Sequence, residues 1–258
     1  MRAAANRLGC QASAMKVFDE ILIMDVEKLA QLIPKFEIIL DNIKMLDKEP
    51  LFYRAIKAYL IDWALEGRFG KFDLIMYSDA GSEIINNPFA RRNFKVLLET
   101  ARQTGGVAQH LFGLENQFSK RKLLEFLKVS KIESATPQIQ ATWSIWKNSD
   151  ENRMLAKNWV VLSDSSLDLW QNPKEITQES PEYIDHRRDQ SIFSILWKRA
   201  GNETIPEYRD FRPILSASFP IQNRRNRTGK SEVPRITKSF IAGLVSSVYT
   251  KFYRNRRS

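Results

Sequence analysis

The feature that most constrains the fold is an alternation of short apolar runs with longer segments of helical periodicity. Residues 51–66 place apolar side chains at i, i+4, i+7 and i+8 spacing, which predicts an amphipathic helix. Residues 72–77 (FDLIMY) follow as a short apolar run, which is typical of a buried strand. Because strands alternating with helices build layered sheets, the sequence predicts an α/β fold.

The same criteria predict further elements along the chain. Strands are expected at residues 18–25, 107–111 and 138–146, the last being either a strand or the loop that leaves one. Helices are expected before residue 18 and at residues 91–103, 120–128, 151–169 and 189–199. Ser119 is predicted to be the N-cap of the helix at residues 120–128. Residues 218–234 are polar, basic and interrupted by Pro and Gly, which predicts a loop or linker.

Charge divides the chain near residue 221. Residues 222–258 hold ten Lys or Arg against one acid, a net charge of +9, so residues 1–221 contribute only +1 to the total of +10. We therefore expect one domain over residues 1–221 and a basic tail over residues 222–258. Within this tail, residues 237–253 carry apolar side chains at helical spacing and predict an amphipathic helix.

Two interpretations of this basic helical tail remain open. The helix packs on the body with its arginines in solvent, or it makes a peripheral contact with an anionic membrane at the inner face. Aromatic residues between the tail's cations would also suit stacking on nucleic-acid bases. The body carries little net charge and no known nucleic-acid motif, so we do not expect a nucleic-acid partner.

Composition excludes several classes of protein. A single cysteine, Cys10, excludes a disulfide framework and any site built on paired cysteines. Two histidines are too few for a multi-histidine zinc centre. Fifteen Phe and six Trp supply enough apolar surface for a core, which excludes disorder over most of the chain. The first residues lack the apolar segment of a secretory signal, so a cytoplasmic location is expected.

The first candidate for chemistry is residues 77–83 (YSDAGSE), where a predicted buried strand ends. A carboxylate at this position, Asp79, can bind a divalent cation through oxygen or accept a hydrogen bond from a ribose hydroxyl. Gly81 would allow a phosphate or a sugar to approach the backbone closely. The alternative is that Asp79 only caps the following turn.

The second candidate is residues 185–191 (DHRRDQS), directly before a predicted helix. His186 can bind a metal ion, Arg187 and Arg188 can hold a phosphate, and Asp189 can accept hydrogen bonds from sugar hydroxyls. The alternative is that Asp189 is an N-cap and that the arginines point into solvent. The third candidate, Gln138, opens an apolar stretch and by itself indicates little.

In this order, the three places resemble bacterial and viral glycosyltransferases of the GT-A kind, which are often found among surface-polysaccharide genes. The family pattern is Y-x-D-A-G-x-E at a strand end, a glutamine about 55 residues later, and H-R-x-D-Q-S at a helix start. The resemblance spans roughly residues 15–200, and its H-R-x-D-Q-S part is the more specific. It implies a GT-A-like Rossmann-type sheet flanked by helices.

The resemblance also implies an activity. A hexosyltransferase-like enzyme would move a sugar from a nucleotide-sugar donor to a glycan or lipid-linked acceptor. Asp189 and Gln190 resemble the pair that lies near the reacting sugar in retaining transferases, which makes them the expected catalytic residues. Gln138, Gly81, Arg187 and Arg188 are expected to bind the donor.

A metal ion is part of the same expectation. Asp79 would be the first acid of a DxD motif that holds Mg²⁺ or Mn²⁺ against the donor diphosphate. Gly81 stands where the second acid would be, and His186 is expected to supply the missing ligand. Asp79, Asp189 and Gln190 should then share one cleft.

Two alternatives to an active transferase follow from the same residues. Gly81 replaces an acid, and the amino end is expected to be one strand and one helix shorter than in the family. A catalytically degenerate, transferase-like interaction protein is therefore the second hypothesis. A nucleic-acid-binding module that acts through the basic tail is the third.

Overall fold

The computed structural model describes residues 2–24, 28, 29, 31, 52–165, 167–173, 175–206 and 219–223. The chain divides into two compact units. Unit 1 consists of residues 1–29, 78–99 and 207–258, and unit 2 consists of residues 30–77 and 100–206. The predicted tail helix at residues 237–253 lies outside the described residues, so it stays a prediction.

The described elements follow one another in a mixed α/β order. The helices are α1 (Arg2–Met15), α2 (Phe52–Leu65), α3 (Pro88–Thr104), α4 (Glu115–Phe118), α5 (Arg121–Phe126), α6 (Lys131–Ser134), α7 (Asp150–Ser165), α8 (Leu167–Trp170) and α9 (Asp189–Arg199). The strands are β1 (Leu74–Ser78), β2 (Ser82–Ile84), β3 (Gly106–Leu114), β4 (Pro137–Lys147), β5 (Glu203–Pro206) and β6 (Ile221–Asn223). No helix of this described part is long and apolar enough to cross a membrane.

Unit 2 is built on an open mixed sheet of four strands in the order β1-β4-β3-β5. Strand β3 runs antiparallel to β4, with Gly106 opposite Trp146, and parallel to β5, with Val107 opposite Glu203. Eight of the eleven residues of β4 are buried, all but its two end residues and Thr142. Because both faces of β4 are covered, the strand is a nearly continuous run of buried side chains rather than a strict alternation.

Helices α2, α7 and α9 flank this sheet and enclose an aromatic core. Phe193 and Trp197 of α9 lie against Trp146 of β4, and Phe193 also contacts Trp159 of α7, with ring centroids 4.8–6.0 Å apart. Gly106 makes the closest approach possible, because a Cβ at this position would lie 2.6 Å from the Trp197 ring. The aromatic half of α9 thereby fixes the helix on the sheet.

Unit 1 combines α1, the first part of α3 and a two-stranded antiparallel sheet. Strand β2 pairs with β6, with Ile84 opposite Ile221. Helix α1 packs beside β2, and Gln11 Oε1 accepts a hydrogen bond of 3.0 Å from the Ile84 amide. Phe18 and Phe94 meet edge to face, with ring centroids 5.2 Å apart.

The α/β prediction and most predicted elements are confirmed. The helices expected at residues 51–66, 91–103 and 189–199, and the strands expected at residues 72–77, 107–111 and 138–146, all occur with small shifts at their ends. The helix expected before residue 18 is α1. The helix expected at residues 151–169 is confirmed over its described residues, which are α7 and α8 on either side of residue 166.

Three predictions of local structure are wrong. Residues 18–24 form no strand, and Leu22 is 46% exposed, since a strand needs a ladder partner as well as apolar residues. Ser119 is not an N-cap: it follows α4, and its Oγ donates to Glu115 Oε2 at 3.0 Å. Part of the expected linker, Ile221–Asn223, is strand β6, because the partner strand β2 supplies its hydrogen bonds.

Candidate functional site

The residues before α9 make a tight turn that delivers the chain to the helix. Arg188 precedes the first helical residue with φ 52°, a conformation that is uncommon for a residue other than glycine. The amide of Gln190 donates to the carbonyl of Arg187 at 3.0 Å, and the amide of Ser191 donates to that of Arg188 at 3.1 Å. Asp189 is therefore the first residue of the helix and not its N-cap.

Gln138 of β4 and Gln190 of α9 are in direct contact, although 52 residues separate them in sequence. Gln190 Nε2 donates a hydrogen bond of 2.6 Å to Gln138 Oε1. Gln138 is fully buried, and its Nε2 lies 3.2–3.3 Å from the Phe118 carbonyl, the Ser119 and Ser191 hydroxyls and the Glu115 carboxylate. Every polar atom of Gln138 is thus used inside the protein.

Glu115 forms the centre of this polar cluster at 1% exposure. Its Oε1 accepts hydrogen bonds from Lys198 Nζ at 2.7 Å and from the Ser194 hydroxyl, while its Oε2 accepts from Ser119 and Gln138. Burial lowers the pKa of Lys198, and the neighbouring Glu115 carboxylate opposes that shift. The buried Glu115 carboxylate is thus compensated by Lys198, whose side chain is 22% exposed, and by the hydrogen bonds of its polar neighbours.

Asp189 is held by a second buried ion pair. Lys57 Nζ of α2 lies 3.2 Å from Asp189 Oδ2 and donates to the Ala141 carbonyl of β4 at 3.3 Å. The two charged side chains are 12% and 7% exposed. The pair explains how a carboxylate can lie at the start of α9 with little contact with water.

His186 is a buried, neutral histidine with both ring nitrogens engaged. Nε2 lies 2.7 Å from the Leu169 carbonyl, and Nδ1 accepts a hydrogen bond of 3.3 Å from the amide of Lys120. Burial lowers the pKa of His186 to about 3, and the positive charges of Lys120 and Arg188 add to that shift. This geometry favours a structural role, because binding a metal would require His186 to give up one of these bonds.

Arg187, in the turn before α9, contacts Phe118 at the end of α4. The Arg187 guanidinium carbon lies 3.9 Å from the centre of the Phe118 ring, a cation–π contact. The Phe118 carbonyl accepts hydrogen bonds from the Arg187 amide, the Ser191 hydroxyl and the Gln138 amide. This one backbone carbonyl thus joins the turn before α9, the first turn of α9 and Gln138 of β4.

The first motif lies in unit 1, in the turn between β1 and β2. The Ser82 amide donates to the Asp79 carbonyl at 2.9 Å, so the turn places Asp79 directly after the strand, as expected. Arg7 of α1 donates to the carbonyls of Ala80 at 3.0 Å and Ser82 at 2.7 Å. Arg7 also lies 3.9 Å from the buried carboxylate of Glu83.

The structure brings most of the candidate residues of unit 2 together. Those that gather at the start of α9 are Gln138, His186, Arg187, Arg188, Asp189 and Gln190. Asp79 and Gly81 belong to unit 1, so the cleft that they are expected to share with Asp189 stays a prediction. Among the described residues, no group of three or more His, Cys, Asp or Glu side chains could hold a metal ion.

Several residues of the site were missed from the sequence. They are Lys57, Glu115, Ser194 and Lys198 at the start of α9, and Arg7 at the first motif, while Ser119 was predicted only as an N-cap. A signal for three cluster members was present, since Ser191, Ser194 and Lys198 recur at i, i+3 and i+7 in an otherwise apolar helix. Such a polar stripe on a buried helix requires buried polar partners. Glu115 and Lys57 left no comparable signal.

Comparison of the chain with protein-family models, with curated proteins and with solved structures finds no match. The function is accordingly argued from the contacts at the start of α9 and from the residue pattern.

Proposed function

We propose that this chain is a glycosyltransferase that moves a sugar from a nucleotide-sugar donor to a glycan or lipid-linked acceptor. The observation that supports it best is the contact between Gln138 and Gln190, with Asp189 beside them. These are the glutamine and the Asp-Gln pair of the motif pattern, and they are remote in sequence. If these residues belong to one functional site, the fold has to bring them together, and they come together at the start of α9.

The fold is compatible with this proposal. Unit 2 has an open mixed sheet flanked by helices, and β1 leads directly into Asp79. A Rossmann-like sheet commonly binds its ligand beyond the carboxyl ends of strands. We propose further that the sheet is of the GT-A kind.

The chemistry of glycosyl transfer suits the side chains at the start of α9. The leaving nucleoside diphosphate gains negative charge, which the guanidinium groups of Arg187 and Arg188 would stabilise together with the helix N-terminus. The sugar gains positive charge at its anomeric carbon. The oxygen atoms of Asp189 and Gln190 would lie nearest to it in this scheme, as stabilisers of an oxocarbenium-like centre.

We route no step through a metal ion. Both nitrogens of His186 are engaged with backbone groups, and Gly81 offers no side-chain ligand. A requirement for Mg²⁺ or Mn²⁺ through Asp79 stays a prediction, tested by adding and chelating the metal during turnover. Any contact with a lipid-linked acceptor at the membrane through the basic tail, tested by salt-sensitive binding to anionic vesicles, is likewise a prediction.

The test is a donor screen followed by turnover with matched variants. Purified protein is heated with UDP-, GDP-, CMP- and dTDP-sugars, with and without Mn²⁺, because a bound donor raises the apparent Tm. Release of nucleoside diphosphate is then measured for the wild type, Asp189→Asn and Gln190→Ala. We expect roughly a hundredfold loss or more in both variants.

The control is Asp185→Asn, which removes an exposed acid four residues before Asp189. Its turnover should equal that of the wild type. If no sugar nucleotide raises the Tm and none is turned over by the wild type, the transferase proposal is wrong.

A catalytically degenerate transferase is the second candidate, and a specific observation favours it. The two positions expected to complete the metal site, Gly81 and His186, offer no free ligand atom: one has no side chain and the other has both nitrogens engaged. Donor binding without turnover, unchanged by Mn²⁺ or Mg²⁺, would select this candidate over the active enzyme.

A further inference from the structure

We infer that Gln138 is a positioning residue that orients the side-chain amide of Gln190, so that Gln190 presents its carbonyl oxygen, and not its amino group, to a ligand. The orientation is argued from the contacts of the two amides alone. Only the identity of the ligand rests on the proposed function.

The direction of the Gln138 side-chain amide is fixed by its buried contacts. Its inner end lies 3.3 Å from Glu115 Oε2 and 3.2 Å from the Phe118 carbonyl. A carboxylate and a carbonyl can only accept hydrogen bonds, so the atom that faces them has to be the amino group of Gln138. The hydroxyls of Ser119 and Ser191, at 3.3 Å, accept or donate as required and do not oppose this assignment.

The direction of the Gln138 amide determines the direction of the Gln190 amide. With its amino group turned inward, Gln138 faces Gln190 with its carbonyl oxygen, at a separation of 2.6 Å. A reversed Gln190 would place two carbonyl oxygens at that distance, which is repulsive. The amino group of Gln190 is therefore used on Gln138, and the carbonyl oxygen at the other end of the Gln190 amide points away from Gln138.

These contacts leave one polar atom of the Gln190 side chain for a ligand. Gln138 is fully buried, so in this inference it acts behind Gln190 and not as the donor-binding residue that the sequence predicts, whereas Gln190 is half-buried. Within the described part of the chain, Gln190 Oε1 accepts no hydrogen bond. Gln190 thus offers one acceptor of defined direction, which fits a sugar hydroxyl or the positive charge that develops at an anomeric carbon.

Glu115 anchors the chain of amides from behind. Its Oε1 lies 2.7 Å from Lys198 Nζ, and its Oε2 lies 3.3 Å from Gln138 Nε2 as a buried acceptor. The direction of the Gln190 amide is accordingly set by a charge two side chains away. Sequence patterns cannot reveal such a relay, since Glu115 lies outside every motif.

The experiment records the side-chain amide signals of ¹⁵N-labelled full-length protein, with the Gln190 pair assigned by its loss in Gln190→Ala. In the wild type we expect slow exchange of the Gln190 amide protons with water. Gln138→Met keeps the shape of the side chain but removes the acceptor, and it should speed that exchange by roughly tenfold. Unchanged exchange in Gln138→Met would overturn the inference.

A second variant keeps the test decisive if Gln138→Met does not fold. Glu115→Leu combined with Lys198→Met replaces this largely buried ion pair, in which Lys198 is 22% exposed, by an apolar pair, an exchange that proteins often tolerate. It should also speed exchange at Gln190, though less, because the Phe118 carbonyl still holds Gln138. The control is Thr136→Val, which removes a 2.7 Å partner of Lys198 without touching Gln138 and should leave the Gln190 signal unchanged.

Kinetics separate a positioning role from a merely structural one. In Gln138→Met we expect kcat to fall by roughly tenfold to a hundredfold while the KM for the donor changes little. The donor would still bind, but the Gln190 amide would no longer be held in one orientation. An unchanged kcat together with faster exchange would overturn the catalytic part of the inference. A wild type without turnover would instead overturn the proposed function, and the exchange measurement would still decide the orientation of Gln190.

Discussion

The two motif segments are held in place by different means. Residues 78–83, the part of the first segment that lies in unit 1, are held largely through the backbone, because Arg7 binds the carbonyls of Ala80 and Ser82. Residues 185–191, in unit 2, are held through their side chains, which reach the Glu115 cluster, Lys57 and two backbone groups around His186. Under the proposed function, changes to side chains of the second segment should therefore alter stability together with activity, whereas changes to side chains of the first should alter activity with less effect on stability.

The largest effect is expected at the centre of the polar cluster. Glu115→Leu leaves the partly buried Lys198 without its nearest carboxylate and deprives Ser119 and Gln138 of a buried acceptor, so the free energy of unfolding should fall by about 3 kcal/mol. Urea denaturation measures this loss. The matched control is Glu125→Leu, which breaks an exposed pair with Arg121 and should cost under about 0.5 kcal/mol. Similar losses in the two variants would contradict the coupling of charges at Glu115.

The next effect tests how the first segment is held. Arg7→Met removes the donor to two backbone carbonyls and leaves the buried Glu83 carboxylate without this cation, so we expect a loss of about 2–3 kcal/mol. Arg91→Met, which removes exposed contacts to Asn86 and the Ala14 carbonyl, is the control and should cost no more than about 1 kcal/mol. A loss at Arg7 no greater than at Arg91 would mean that the turn is held by other contacts.

A third prediction concerns the acid sensitivity of the second segment. The pKa of His186 is about 3 in the folded protein against an ordinary value of 6.5, so the unfolded chain takes up the proton first. The stability that neutral His186 provides is complete above pH 6.5 and is lost as the pH falls from 6.5 toward 3, at up to about 1.4 kcal/mol per pH unit.

His186→Gln isolates this contribution, because glutamine can donate and accept hydrogen bonds but does not titrate. The variant should be less stable than the wild type at pH 7, yet it should lose less of its stability between pH 6.5 and 4.5. Other titrating groups act equally in both chains. The same slope in wild type and variant, from urea denaturation at each pH, would show that His186 is not held neutral.

The smallest effect on stability is expected at Asp79. Asp79→Ala should change the free energy of unfolding by less than about 1 kcal/mol, since Arg7 grips the turn by its backbone. Under the proposed function, the same variant should abolish turnover. Asp73→Ala is the control for both measurements, because it removes an exposed acid directly before β1. Full activity of Asp79→Ala would remove Asp79 from the donor site, and a large loss of stability would erase the contrast between the two segments.

Local patterns predicted a large share of this molecule. The periodicity of residues 51–66 and 189–199 and the apolar run at residues 72–77 determined two helices and a strand, because amphipathic spacing admits few alternatives once a core exists. The same patterns erred at residues 18–25, where apolar residues are present but no strand partner is found among the described residues. Strand pairing depends on two segments, so the sequence of one segment does not predict it.

The sequence by itself determined the α/β class, the order of most elements, and the positions of Asp79 after a strand and of Asp189 at the start of a helix. Only the tertiary structure decided that Gln138 meets Gln190, that Asp189 pairs with Lys57, and that His186 is neutral with both nitrogens engaged. The physical reason is that periodicity is set by neighbours within a few residues, whereas hydrogen bonding, charge and pKa in a core are set by whatever the fold packs alongside.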